Sequence, residues 1–146
     1  MSIDTVEALL LDDEGSRIWP YVDTAGHRTW GIGHNLDASP PCMVAQALLQ
    51  QAVQTQFGVD LNEVKSELDG YPWMADLDVV RQAVIIDMAF NVGLTGLATF
   101  TTFLSFMAQD RFKDAAADLR TTRVYRELPH RYERLAVMLE TGQWPN

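Results

Sequence analysis

The sequence predicts an α+β fold dominated by helix, folded as one domain. Three observations carry this reading. Residues 21–33, YVDTAGHRTWGIG, hold two short β-prone runs around a turn signal, and they are flanked by segments of helical period. Residues 76–93, DLDVVRQAVIIDMAFNVG, are apolar nearly all round, as expected of a central helix buried on most faces. A chain of 146 residues with 47% hydrophobic content can bury a real core, and no low-complexity tract or fixed-period repeat divides it.

The elements follow in order. Ile3, Val6 and Leu10 recur at helical spacing, with Ser2 as the expected N-cap, Asp4 in the first turn and Gly15 as a natural stop. At 100° per residue, Glu14 falls about 20° from Ile3 and about 40° from Leu10, so a carboxylate sits on the apolar stripe at the edge of a core. Asp23-Thr24-Ala25-Gly26 has Asp first and Gly fourth, the signature of a type I turn joining two strands. Gly31 and Gly33 flank Ile32 where a third strand or tight bend brings backbone close to another group.

Pro40 and Pro41 open a helix expected near 41–56, with Gly58 as its stop, and LNEVKSEL (61–68) gives a shorter one. Asp78 is the expected N-cap of the central helix, and Gly93 lies past its end. TTFLSFMAQ (101–109), FKDAAADLRTT (112–122) and PHRYERLAVMLETG (129–142) supply further helices, the last with Pro129 in its first turn and Gly142 as its stop.

Composition narrows the function. The net charge of −9 argues against nucleic acid, which demands a basic footprint. Residues 1–80 carry 13 acids against 3 basic residues, whereas residues 81–146 carry 7 acids against 8 basic residues. No run approaches the roughly 18 apolar residues of a membrane span, and the N-terminus has no basic, then apolar, export pattern. No membrane insertion is expected. Cys42 is the single cysteine, which excludes an internal disulfide; it reads as a small apolar residue and not a catalytic thiol.

The irregular stretch after the first helix also suggests chemistry. A carboxyl on an apolar edge, Glu14, and a carboxylate in a wet turn, Asp23, divide into acid and base near neutral pH, the pairing that glycosidic cleavage requires. Thr29 on the far strand can reach back toward Asp23 and hold a water. The competing reading is a helix-terminal acid paired with an arginine and an ordinary turn aspartate. Trp19, Tyr21, Trp30 and Phe90 could stack on sugar rings or simply pack.

The order Glu14, Asp23, Thr29 and GIGH (31–34) resembles the phage-type lysozymes, the endolysins of glycoside hydrolase family 24, those of the T-even phages included. The resemblance continues through AFNVGLTGLATF (89–100), DRFKDAAADLRTTRVY (110–125) and LPHRYERLAVMLETGQW (128–144), and is weakest over 35–80. It implies a lysozyme-like bilobal fold within one domain of residues 1–146. A β-containing lobe would span about 15–57, and a helical lobe would combine 1–14 with about 58–146, the cleft between them.

The resemblance further implies a cofactor- and metal-free muramidase that cleaves the β-1,4 bond between N-acetylmuramic acid and N-acetylglucosamine in peptidoglycan. Glu14 would be the general acid, Asp23 the carboxylate that assists the water, and Thr29 the residue that positions it. Asn35, Phe90, Asn91, Phe103 and Asp118 match substrate-contact positions, although Asn35, Phe103 and Asp118 depart in residue type from the T-even enzyme. His34 and Arg131 match supporting residues, the arginine beside the catalytic glutamate. The acidic charge favours thin, Gram-negative peptidoglycan over teichoic-acid-rich walls. The expected protein is a monomer held in the host cytoplasm until a holin-type pore, made by another protein, releases it to the periplasmic wall. The alternatives are a lytic transglycosylase and a catalytically silent wall-binding protein.

Overall fold

The computed structural model describes residues 3–38 and 50–146. It opens with helix α1 (Val6–Glu14), followed by strands β1 (Arg17–Val22), β2 (Arg28–Gly31) and β3 (His34–Asn35). Helices α2 (Gln50–Leu68), α3 (Val79–Ala98), α4 (Thr101–Ala108), α5 (Phe112–Leu119), α6 (Arg123–Glu127) and α7 (Pro129–Thr141) complete it, with one 3₁₀ turn at Met74–Asp76. The mainly helical α+β class holds. Among the described residues no single helix is long and apolar enough to cross a membrane.

Helix α1 is capped by Thr5, which is extended and whose hydroxyl accepts from Ala8 N–H at 3.1 Å, while Ser2, the expected cap, lies outside the described residues. Gly15, at φ 70°, ends the helix and donates its N–H to the Leu11 carbonyl, which leaves Glu14 as the last helical residue. The three strands form an antiparallel sheet in the order β1-β2-β3. Pairing slips between Arg17 and Tyr21 on edge strand β1, where Pro20 offers no N–H to a ladder. Tyr21 then pairs with Thr29, and Thr29 with Asn35, so these three residues form one row across the sheet. Trp30 and His34 form the neighbouring row on the opposite face, both buried.

Gly58 does not stop α2, which continues to Leu68 and absorbs the separate helix expected at 61–68. Val53, Phe57, Leu61 and Leu68 keep one buried face throughout, and this packing outweighs the roughly 1 kcal/mol that a helical glycine costs. The start of that helix, with Pro40, Pro41 and Cys42, lies outside the described residues, as does the side chain of Trp19.

Asp78 caps α3 by accepting from Arg81 N–H at 3.0 Å. Gly93, at φ 75° and ψ 165°, breaks the helix, but the chain resumes helical geometry as far as Ala98. Val84, Ile85 and Met88 on α3 are fully enclosed, and α3 packs against α1, α2 and α7. Leu9 and Leu10 of α1 join this core with Leu135 and Leu139 of α7. The helix carrying Glu14 is therefore anchored by its own apolar stripe. Leu10→Ala is expected to lower unfolding stability by about 2–5 kcal/mol in urea titration, through lost transfer free energy and a residual cavity.

Candidate active site

A cleft of about 530 Å³ is lined by the end of α1, both strands of the hairpin, α3 around its break, and the start of α7. Glu14, Asp23 and Thr29 all border it, together with Asn35, Phe90, Asn91 and Arg131. A separate concavity of about 460 Å³, beside Val137, Met138 and Trp144, holds none of these residues.

Glu14 is positioned by two neighbours. Its Oε1 accepts from Arg131 Nη2 at 2.8 Å. Its Oε2 faces Gly33, where a β-carbon would stand 3.0 Å from that oxygen and 3.0 Å from Phe90 Cε1. Gly33 also has φ +68°, a conformation that side-chain-bearing residues adopt at a cost. The close backbone approach expected after β2 is thus made against the carboxyl of Glu14.

Asp23 opens the hairpin turn, with Gly26 N–H donating to its carbonyl and its own N–H donating to His27 O. Its Oδ1 accepts from the N–H groups of Ala25 at 2.9 Å and His27 at 2.8 Å, while Oδ2 has the His27 ring Nδ1 at 3.6 Å. The carboxylate is fixed by the turn that it starts. Buried Thr29 donates its hydroxyl to His27 O at 3.1 Å, which leaves the lone pairs of Oγ1 as acceptors. Tyr21 lines the same cleft, and its phenol is pushed up by burial and by both Glu14 and Asp23, against the pull of Arg17 stacked 4.4 Å from its ring.

Behind Glu14 stands a buried charge cluster. The Arg131 side chain, 9% exposed, contacts Glu14, Asp87 Oδ1 through Nε at 2.9 Å, and Asp13 Oδ2 at 3.5 Å. Burial works against its charge, but Asp87, Glu14 and Asp13 outweigh that and hold the guanidinium protonated. Arg134 bridges Asp13 to Asp12, which it meets at 2.7 Å. Asp87 and Asp13 are not among the residues that the sequence marks as a site. Their signal was there in Asp87, a lone carboxylate inside an apolar segment.

The other expected site residues divide. Phe90 lines the cleft and packs edge-on against Phe57, with ring centroids 5.9 Å apart. Asn91 lines it and accepts from the Tyr132 hydroxyl at 2.6 Å. Asn35 reaches it by sheet register, but its Oδ1 is spent on the N–H groups of Asp37 and Ala38. His34 turns to the opposite face and forms a buried pair with Asp60 at 2.7 Å, which Gln56 also hydrogen-bonds. Phe103 is not a substrate contact here: on the inner face of α4 it is fully buried in the core. Asp118, on α5, does not border the cleft either.

A family model described as "Phage lysozyme" matches residues 12–127. "Probable T4-type lysozyme 1" of Dictyostelium discoideum is 23% identical, with 96% of each chain covered. "Pre-baseplate central spike protein Gp5" of Enterobacteria phage T4 is 27% identical over 92% of this chain, which spans only 27% of that protein's length.

Gly26 and Gly33, both at positive φ, make a paired test. Gly26→Ala meets nothing within 4 Å and is expected to pay only backbone strain of about 1–2 kcal/mol. Gly33→Ala must also displace Glu14 or Phe90, so thermal melts should place it clearly below Gly26→Ala.

Proposed function

The chain belongs to the phage lysozyme family, a lysozyme-like group that hydrolyses peptidoglycan, and we propose that this member cleaves the β-1,4 bond between N-acetylmuramic acid and N-acetylglucosamine. The observation that carries the reading is the convergence of Glu14, Asp23 and Thr29, from a helix end and both strands of one hairpin, on a single cleft.

In this reading Glu14 is the general acid. Arg131 occupies Oε1, so the proton is delivered from Oε2 to the glycosidic oxygen as the bond from C1 to that oxygen breaks. A water donates one hydrogen to Thr29 Oγ1, whose own hydrogen is committed to His27 O. It donates the other to Asp23, attacks C1 from the opposite side and gives that second proton to the carboxylate. The product anomer is inverted. The two backbone N–H groups on Asp23 Oδ1 leave Oδ2 as the oxygen that takes up this proton. Phe90 and Tyr21 present ring surface to the glycan.

Localisation is part of the same proposal. The acidic chain suits thin periplasmic peptidoglycan, reached from the host cytoplasm after a holin-type pore opens, with a monomer as the acting species. The likeness to a phage spike protein favours a second route, delivery from outside on a virion. A lytic transglycosylase, which needs no attacking water, leaves the Thr29 and Asp23 arrangement without a use.

Glu14→Gln is expected to lower turnover of purified Gram-negative sacculi by about 10² to 10⁴-fold, and Asp23→Asn by a similar factor, with the circular dichroism spectrum retained. Dye release from labelled sacculi measures this. Full activity in Glu14→Gln would remove the assignment.

A further inference from the structure

We propose that Asp13 and Asp87 hold one proton between them at neutral pH, and that this shared-proton pair is the positioning device that aims Arg131 at Glu14. The positioning half rests on the reading of Glu14 as the general acid; the proton half stands on the cluster alone.

The groups that face one another come from three helices. Asp13 and Glu14 end α1, Asp87 lies in the middle of α3, and Arg131, Tyr132 and Arg134 come from the first turns of α7. Three enclosed carboxyls, with Asp12 on the exposed side of Arg134, therefore confront two guanidiniums, and the Tyr132 hydroxyl is turned away to Asn91. Asp87 is wholly enclosed, and the Asp13 side chain is 7% exposed. One oxygen of each is used: Asp87 Oδ1 accepts from Arg131 Nε, and Asp13 Oδ1 from Arg134 Nη2. The remaining oxygens, Asp13 Oδ2 and Asp87 Oδ2, are both buried without a hydrogen-bond partner, and both carboxyls lie against the same Arg131 Nε, at 3.5 and 2.9 Å. Arg134 Nε, which among the described residues is also buried without a hydrogen-bond partner, belongs to a side chain already committed to Asp12 and Asp13.

Two ionised carboxylates do not make a hydrogen bond with each other; a carboxyl and a carboxylate do. A single proton pairs both orphaned oxygens and removes one of the excess negative charges in the cluster. Burial first, and the charge of Asp13 next, push Asp87 well above the usual carboxylate range, against the opposing pull of Arg131. With the pair neutralised to one negative charge, Arg131 is not drawn wholly into α3. Asp87 fixes Nε, and Nη2 is left to hold Glu14 Oε1. Asp87 touches no substrate and acts through Arg131, as a positioning residue.

Asp87→Asn is the decisive variant, because an amide supplies permanently what the shared proton supplies: an oxygen for Arg131 Nε and an N–H for Asp13 Oδ2. The sign of the linkage follows from the raised pKa. The folded state holds a proton that the unfolded state has released above about pH 4, so this contribution is full at acid pH and falls as pH rises through the folded pair's titration. Relative to wild type, the folding equilibrium of Asp87→Asn should therefore improve by about tenfold per pH unit across that window. Urea titrations at pH 5, 6.5 and 8 read it directly. Infrared difference spectra of wild type minus Asp87→Asn should show the C=O stretch of a protonated carboxyl at pH 7.

A variant equally or more destabilised at pH 8 than at pH 5, with no such band, would overturn the shared proton. For the positioning half, Asp87→Leu that keeps its fold should lose about 10-fold or more in kcat with KM held within about twofold, and Asp87→Asn should restore most of that loss. Wild-type kcat in a folded Asp87→Leu would overturn positioning; should Asp87→Leu not fold, a kcat in Asp87→Asn as low as that of Glu14→Gln would do so. Should Glu14→Gln prove fully active in the same assay, the catalytic reading falls by itself, and the infrared and urea results still decide the proton.

Discussion

The Arg131 guanidinium, almost wholly out of water, is the contact on which the site's geometry depends. A buried cation is costly unless it is paired and hydrogen-bonded, and this one has carboxylates on every side from which a helix approaches it. It joins α7 to α3 through Asp87 and to α1 through Asp13 and Glu14. The same three helices share an apolar core, so the charge cluster sits where hydrophobic packing already fixes their separation. Glu14 is thereby held at two points, by Arg131 on one oxygen and by the backbone of Gly33 beside the other.

The opposite wall is built from sheet register. Tyr21, Thr29 and Asn35 are cross-strand partners and must point the same way, toward the cleft. Trp30 and His34 then point away, where His34 meets Asp60 of α2 and locks the sheet to the helices. Arg28 closes the sheet's outer end, donating its N–H and Nε to Asp37 at 2.8 and 2.7 Å. Those bonds hold the Asp37 carboxyl below its ordinary range. Asp23 needs no partner from another element, because the turn it begins supplies two backbone donors. The helical wall thus orders its carboxyl through long-range ion pairing and the sheet wall through local hydrogen bonds.

That contrast explains what the sequence disclosed. Glu14 was legible because a carboxylate on an apolar stripe is visible within one helix, and the Asp23 turn because four consecutive residues define it. Gly33 announced a close approach without naming what approached. Asp87 carried the same flag as Glu14, but its meaning lay 44 residues away in Arg131 and no local pattern reports that distance. The passage of α2 through Gly58 was hidden for a related reason: the face that outweighs a glycine is recognised only once Phe57 and Leu61 have something to bury against. Helix α6 is five residues long, too short for a period, and is marked only by its Thr122 cap. Phe103 misled because position along the chain was carried over without its environment, and an aromatic ring on the inner face of α4 belongs to the core.

Glycan hydrolysis by a water held opposite Glu14 is most directly tested by the origin of the oxygen at C1. Purified sacculi digested in ¹⁸O-labelled water should yield muropeptides with one heavy oxygen at the reducing end of N-acetylmuramic acid, formed first as the inverted anomer, by mass spectrometry and proton NMR. Unlabelled 1,6-anhydro products would contradict it, since they require the sugar's own hydroxyl to displace the leaving group and leave Asp23 and Thr29 without a water to hold.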